Sequence, residues 1–142
     1  MSDETYQAWN NFVMRSEPLA YERGSNMRQA AIANQFMGLA NNGGLNSFLT
    51  STWELDAQEA KEALKAVGAH AAAQQLEAVL RELAVPLPAM SRSERWAALE
   101  ATWPDELDEM DTLTAESDNE LMLVLEQHVA ANEAFYLQLG TS

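Results

Sequence analysis

Apolar residues recur along most of the chain at intervals of three and four positions. This spacing places side chains on one face of an α-helix, whereas a half-buried strand needs strict alternation of apolar and polar residues. The sequence has no run of four or more alternating residues that is rich in Val, Ile or Thr. The pattern therefore predicts a set of helices without a sheet.

Six or seven helices are predicted from this periodicity and from the residues that start and stop helices. They cover residues 4–16, 26–40, 70–84, 105–113 and 118–139, together with two helices that begin at the capping residues Asp56 and Ser91 and end at Gly68 and Pro104. A short helical turn is expected at residues 45–49.

Proline, glycine and asparagine set several of these boundaries. The first helix is expected to stop before Pro18, because the residue before a proline disfavours the helical conformation. The second is expected to end in Asn41-Asn42-Gly43-Gly44, because these residues tolerate a left-handed backbone. Asp118 is expected to cap the last helix, and Glu120 to complement its dipole.

Composition narrows the fold class further. The chain has 24 Ala and 18 Leu but only 7 Val and Ile together, and β-branched residues are the poorer helix formers. A length of 142 residues is enough for one hydrophobic core, and 47% hydrophobic residues argue against disorder. We therefore expect one all-α domain over residues 1–142.

Charge is distributed unevenly along the chain. The formal net charge is −14, and residues 101–142 carry ten Asp and Glu but no Lys or Arg. We expect no direct binding to nucleic acid or to an anionic membrane, because both need clustered basic residues. The acidic start of the chain is unlike a signal peptide, and no apolar run is long enough to span a membrane. A cytoplasmic protein is expected.

Catalytic and metal-binding motifs are not apparent in the sequence. The chain has no cysteine, and its two histidines, His70 and His128, lie in no recognised ligand spacing. We interpret His70 as a surface or capping residue and His128 as a histidine at the edge of the core. The acidic run 105–111 lacks the glycine and the closing glutamate of a calcium-binding loop. A non-enzymatic protein without cofactor or metal is expected.

The acidic C-terminal third is the remaining feature of the sequence that indicates a function. Positions three or four apart lie side by side on a helix, so Asp105, Asp108 and Glu109 share one side of a helix. Such a row can resemble the phosphates of a DNA strand, or it can be a solvated face that keeps the protein soluble and monomeric. The candidate partner-binding residues are Asp105, Glu106, Asp108, Glu109, Asp111, Glu116, Asp118 and Glu120.

Several short motifs resemble those of the acidic DNA-mimic protein family. They are Asn42-Gly43-Gly44-Leu45-Asn46-Ser47-Phe48, the helix end around Ala63-Leu64 and Gly68-Ala69, the element Leu107-Asp108-Glu109, and the segment 129–135. Leu45 departs from the pattern, which has Phe at that place. The resemblance spans about residues 27–139 and leaves residues 1–26 as an N-terminal helix and connector.

This resemblance implies an all-α fold and a function in masking DNA-binding surfaces. The partner it implies is a basic bacterial DNA-binding protein, such as a helix-turn-helix transcription regulator. An immunity or antitoxin protein that neutralises a cognate toxin is the alternative. The sequence is compatible with a monomer or a homodimer.

Overall fold

The computed structural model describes residues 2–21, 27–49, 57–82, 94, 97 and 111–139. These residues contain six α-helices and no strand, so the prediction of an all-α domain is confirmed. The helices in chain order are α1 (Asp3–Tyr21), α2 (Arg28–Leu49), α3 (Ala57–Val67), α4 (His70–Glu82), α5 (Ala115–Ala131) and α6 (Glu133–Leu139).

The first helix is longer than its sequence predicts. The expectation that it stops before Pro18 is wrong, because α1 extends to Tyr21. A proline inside a helix loses one N–H donor and crowds a carbonyl in the preceding turn, which costs about 3 kcal/mol. Complete burial of Ala8 and Phe12 on the same helix helps to offset this cost through packing against neighbouring helices.

The second helix leaves helical geometry within the segment Asn41-Asn42-Gly43-Gly44, where the sequence predicts its end. It includes Asn41, Asn42 and Gly43, and the chain leaves helical geometry only at Gly44, where φ is 83° and ψ is 179°. The predicted turn at residues 45–49 follows this kink. It places Phe48 edge-on against Phe36, with 4.9 Å between ring centroids. The glycine-rich segment thus ends the first part of α2 at Gly44, and the predicted helical turn forms the part of α2 after the kink.

Gly68 ends α3 as the sequence predicts. Its φ is 93°, a left-handed conformation that glycine adopts without strain. The Gly68 N–H donates to the Lys65 carbonyl over 3.2 Å, and the Ala69 N–H donates to the Leu64 carbonyl over 2.8 Å. This arrangement is a helix C-cap, and it directs the chain into α4. The predicted cap at the other end of α3, Asp56, lies outside the described residues.

The single helix predicted for residues 118–139 is wrong in its start and in its continuity. The N-cap is Thr114, four residues before Asp118, and its hydroxyl accepts from the Ser117 N–H over 3.0 Å. Asn132 separates α5 from α6 because its side-chain amide donates to the His128 carbonyl over 2.8 Å. Such local bonds compete with the regular helical pattern.

Little of the chain between Ser91 and Leu113 is described. Glu94 and Ala97, which lie in the predicted helix 91–103, are helical and exposed. The predicted helix 105–113 is wrong at its end, because Asp111 to Leu113 are not helical. The Asp111 carbonyl instead accepts a hydrogen bond of 2.6 Å from the Leu45 N–H, which ties this segment to the kink of α2.

The core forms where α2 packs against α1, α3 and α5, with α4 and α6 closing its sides. Small residues on α2, α3 and α4 allow the helices to approach closely, and larger apolar side chains fill the spaces between them. The predicted inward residues Leu121, Leu125, Val129 and Tyr136 are at most 1% exposed. Other fully buried large side chains are Phe12, Phe36, Leu45, Leu64, Leu76 and Val79.

Candidate functional site

The eight acidic residues singled out from the sequence divide into two groups. Asp105, Glu106, Asp108 and Glu109 lie outside the described residues. The other four, Asp111, Glu116, Asp118 and Glu120, precede α5 or lie in its first two turns. The structure thus brings half of the candidate site to the N-terminal end of one helix, where the helix dipole favours negative charge.

Asp111 is half-buried against the kink of α2. Its carboxylate lies over the Cα of Gly44, so closely that a side-chain carbon added to this glycine would be 2.5 Å from the Asp111 Cγ. Its carbonyl accepts from the Leu45 N–H. Asp111 therefore contributes to the joint between α2 and the segment before α5, in addition to its negative charge.

Asp118 and Glu120 are held by neutral donors. The Asn41 side-chain amide donates to Asp118 Oδ1 over 3.1 Å, and the Ala71 N–H donates to Glu120 Oε1 over 2.8 Å. The second bond satisfies one of the free N–H groups in the first turn of α4. Neither carboxylate is paired with a described cation, and a hydrogen bond restricts the position of each.

Glu116 lies on the outward face of α5 and is exposed. Leu123, two turns further along the same face, is 54% exposed. Glu126 and Gln127 follow it at three and four positions, so acidic and amide side chains surround an exposed apolar one. This face of α5 thus directs a large apolar side chain to solvent, as α1 does at Tyr6, Val13 and Met14.

Two ion pairs join described residues, and both lie away from these acids. Arg28 on α2 pairs with Glu59 on α3 at 3.2 Å, and Lys65 on α3 pairs with Glu77 on α4 at 3.8 Å. Since no Lys or Arg follows Arg95, the segment 111–139 has no cation of its own except the protonated form of His128. The segment that forms α5 and α6 therefore has a negative net charge.

His128 is a core-edge histidine, as the sequence predicts. Its Nε2 lies 2.7 Å from the Tyr136 hydroxyl, and its ring packs near Phe12 with 6.2 Å between ring centroids. Burial lowers the pKa of His128 and raises that of the Tyr136 hydroxyl, because it disfavours the charged form of each. His70 is the exposed first residue of α4, in agreement with its interpretation as a surface residue.

An open cavity of about 400 Å³ lies between α2, α3 and α5, and we refer to it as the α2–α3–α5 cavity. It is not apparent from the sequence, because its residues come from three helices and follow no shared motif. Its lining residues are Gln29, Ala30, Ala66, Val67, Val124, Gln127 and His128.

Two further properties follow from the described part of the chain. It contains no group of three or more His, Cys, Asp or Glu residues arranged to hold a metal ion. It also contains no helix that is both long and apolar enough to cross a membrane.

Comparison with known proteins identifies one family. The family model described as DMP19-like protein matches residues 25–132, nearly the region for which the sequence motifs suggest a resemblance. Searches of the curated proteins and of the solved structures gave no match.

Proposed function

The chain belongs to the DMP19-like protein family, a family of DNA mimics, and we propose that it occupies the DNA-binding surface of a basic bacterial protein. In this proposal the chain is a non-enzymatic cytoplasmic protein that acts through binding alone. The partner is a DNA-binding protein such as a helix-turn-helix transcription regulator, whose groove for DNA is lined with Lys and Arg.

The observation that supports this proposal most is the way the acids of α5 are held. Asp118 and Glu120 accept hydrogen bonds from an amide and from a backbone N–H, and neither bond cancels a charge. A carboxylate paired with Arg or Lys presents little net charge to a partner, whereas one held by a neutral donor presents all of it. The side chains of a partner can therefore supply the missing cations.

The candidate acids outside the described residues extend the same argument. Asp105, Glu106, Asp108 and Glu109 precede Asp111 closely in sequence, so they belong to the same negative end of the domain in our proposal. In this proposal a protein whose surface is adapted to bind DNA contacts several successive negative charges there, as it does along a phosphate backbone. Such complementarity accelerates association and makes binding sensitive to salt.

The decisive experiment compares two variants of equal net charge. The site variant neutralises Asp105, Glu106, Asp108, Glu109 and Glu116 to Asn or Gln, and it leaves Asp111 intact because that residue packs on Gly44. The control variant neutralises five exposed acids elsewhere, Asp3, Glu4, Glu62, Glu82 and Glu94. Both variants lose five negative charges, so only the location of the change differs.

The partner is first captured from a bacterial lysate at low salt, identified by mass spectrometry and purified. We expect the site variant to bind it at least about ten-fold more weakly than the control variant does, a difference of about 1.4 kcal/mol. Equal affinities of the two variants would refute the assignment of these five acids to the interface. A complex that persists unchanged at a few hundred millimolar salt would instead favour shape-matched neutralisation of a toxin.

A further inference from the structure

The α2–α3–α5 cavity has apolar walls and polar groups that accept hydrogen bonds. Ala30, Val67 and Val124 line it with aliphatic surface, while Gln29 and Gln127 bring side-chain amides to it. Its volume of about 400 Å³ falls within the range of small-molecule sites. A ligand that fits therefore combines an apolar stem with a polar end that can use the amide oxygens as acceptors.

The end of α3, which lines this cavity, has carbonyl acceptors that are not used by the described part of the fold. The carbonyls of Leu64 and Lys65 are used by the C-cap at Gly68, whereas those of Ala66 and Val67 accept no hydrogen bond from another described residue. Both of these residues line the cavity. The C-terminus of a helix carries partial negative charge, so this wall favours a cation.

The charges around the cavity also favour a cation. The described residues of its wall include no Lys or Arg, and the nearest cations in sequence, Arg28 and Lys65, are paired with Glu59 and Glu77. Glu120 lies one helical turn before Val124 on α5. Burial lowers the pKa of His128, which keeps its ring neutral at pH 7 and removes a charge that would repel a cation.

From this combination we propose that the α2–α3–α5 cavity is a socket for one arginine side chain of the basic partner. The methylene stem contacts Val67, Val124 and Ala30, and the guanidinium donates to the amide oxygens and to the carbonyls at the end of α3. Arginine fits better than lysine because its planar group has five donors, is less strongly hydrated and stacks on flat rings such as that of His128. The partner's identity as a basic protein rests on the proposed function.

The first test needs no partner, so it can fail independently of the proposed function. The full chain is titrated with N-acetyl-arginine methylamide and followed by NMR at Gln29, Gln127 and His128. The control probe is N-acetyl-citrulline methylamide, which has nearly the same shape and is uncharged. We expect the arginine probe to shift these signals in a saturable way and to bind about ten-fold more tightly than the citrulline probe, since charge-assisted hydrogen bonds are the stronger ones.

Two pairs of variants locate the binding. Ala66→Leu fills the cavity from an exposed position of α3, and Ala130→Leu makes the same change on the exposed face of α5 outside the lining. Gln127→Lys places a cation in the wall, and Asn119→Lys places one on the same helix away from it. We expect the first member of each pair to abolish the shifts and the second to leave them.

Equal binding of the two probes, shifts that occur away from the three reporter residues, or equal effects within each pair would overturn the proposal. The same variants then test the captured partner. Ala66→Leu should weaken binding of the partner about ten-fold relative to Ala130→Leu. An effect of this size corresponds to the loss of one well-placed arginine contact. If the socket binds arginine but the five acids prove irrelevant to capture, the proposed function fails and the socket stands.

Discussion

Gly44 is the position where a single methyl group should cost the most. Its φ of 83° and ψ of 179° lie in a region that is almost restricted to glycine. A side-chain carbon there would also lie 2.5 Å from Cγ and 2.8 Å from Oδ1 of Asp111, well inside normal contact distance. The substitution Gly44→Ala therefore combines backbone strain with a steric clash.

The size of the effect follows from these two contributions. Strain of this kind costs about 1–3 kcal/mol, and forcing an extra carbon into packed structure costs about another 1–3 kcal/mol. We expect Gly44→Ala to lower the free energy of unfolding by about 2–6 kcal/mol, a large part of the 5–15 kcal/mol typical of a domain. Urea denaturation followed by circular dichroism measures this loss.

Two further variants separate the contributions. Gly38→Ala is the matched control, because Gly38 is helical, exposed and has nothing within 4 Å of the added carbon. The substitution Gly38→Ala should raise the free energy of unfolding by about 0.5–1 kcal/mol, because alanine is the better helix former. Asp111→Ala removes the clashing carboxylate, so Gly44→Ala should cost about 1–3 kcal/mol less in that background than in the wild type. A Gly44→Ala variant as stable as the wild type would refute the description of the kink.

Three other predictions concern the C-terminal helices. Thr114→Ala should destabilise the domain by about 1 kcal/mol in urea melts through loss of the α5 cap, whereas Thr112→Ala should change little. Tyr136→Phe should lower the free energy of unfolding by about 1 kcal/mol in the same assay, because it leaves the half-buried Nε2 of His128 without its partner, and a neutral result would refute this role. Because burial lowers the pKa of folded His128, the unfolded chain binds its proton first, and stability should fall as pH drops below about 6.5. His128→Gln should reduce this dependence of the free energy of unfolding on pH. An unchanged slope between pH 7 and 5.5 in the variant would contradict the role of His128.

The fold class and most core positions are predictable because they depend on local periodicity. Leu121, Leu125 and Val129 repeat every four residues, so their burial can be inferred without knowing what covers them. Gly68 ends α3 as expected, since a left-handed residue after a helix is a local property. The family assignment agrees with the expectation from sequence motifs.

The errors occur where a distant contact or a competing local bond outweighs the usual rule. Pro18 does not end α1, and Asn132 interrupts a helix whose apolar spacing continues on both sides. The left-handed break at Gly44 is expected, but the bond that ties the segment around Asp111 to it joins residues far apart in sequence and is not. Periodicity contains no information about such contacts.

The candidate site was predictable in its residue types but not in its geometry. That the C-terminal third is acidic is a matter of counting, whereas the partners of Asp118 and Glu120, on α2 and α4, depend on the packed structure. The α2–α3–α5 cavity also could not be predicted from the sequence, because it forms only when three helices pack together.

The neutral donors around these acids connect stability with the proposed binding. A free surface carboxylate loses side-chain entropy when it binds a cation, and that loss reduces affinity. Asp118 and Glu120 have already lost part of this freedom on folding, because Asn41 and the Ala71 N–H hold them. An arginine or lysine in place of these donors would stabilise the fold locally but would neutralise the charge. Holding carboxylates with amides and N–H groups therefore suits a protein whose surface must remain both negative and ordered before its partner arrives.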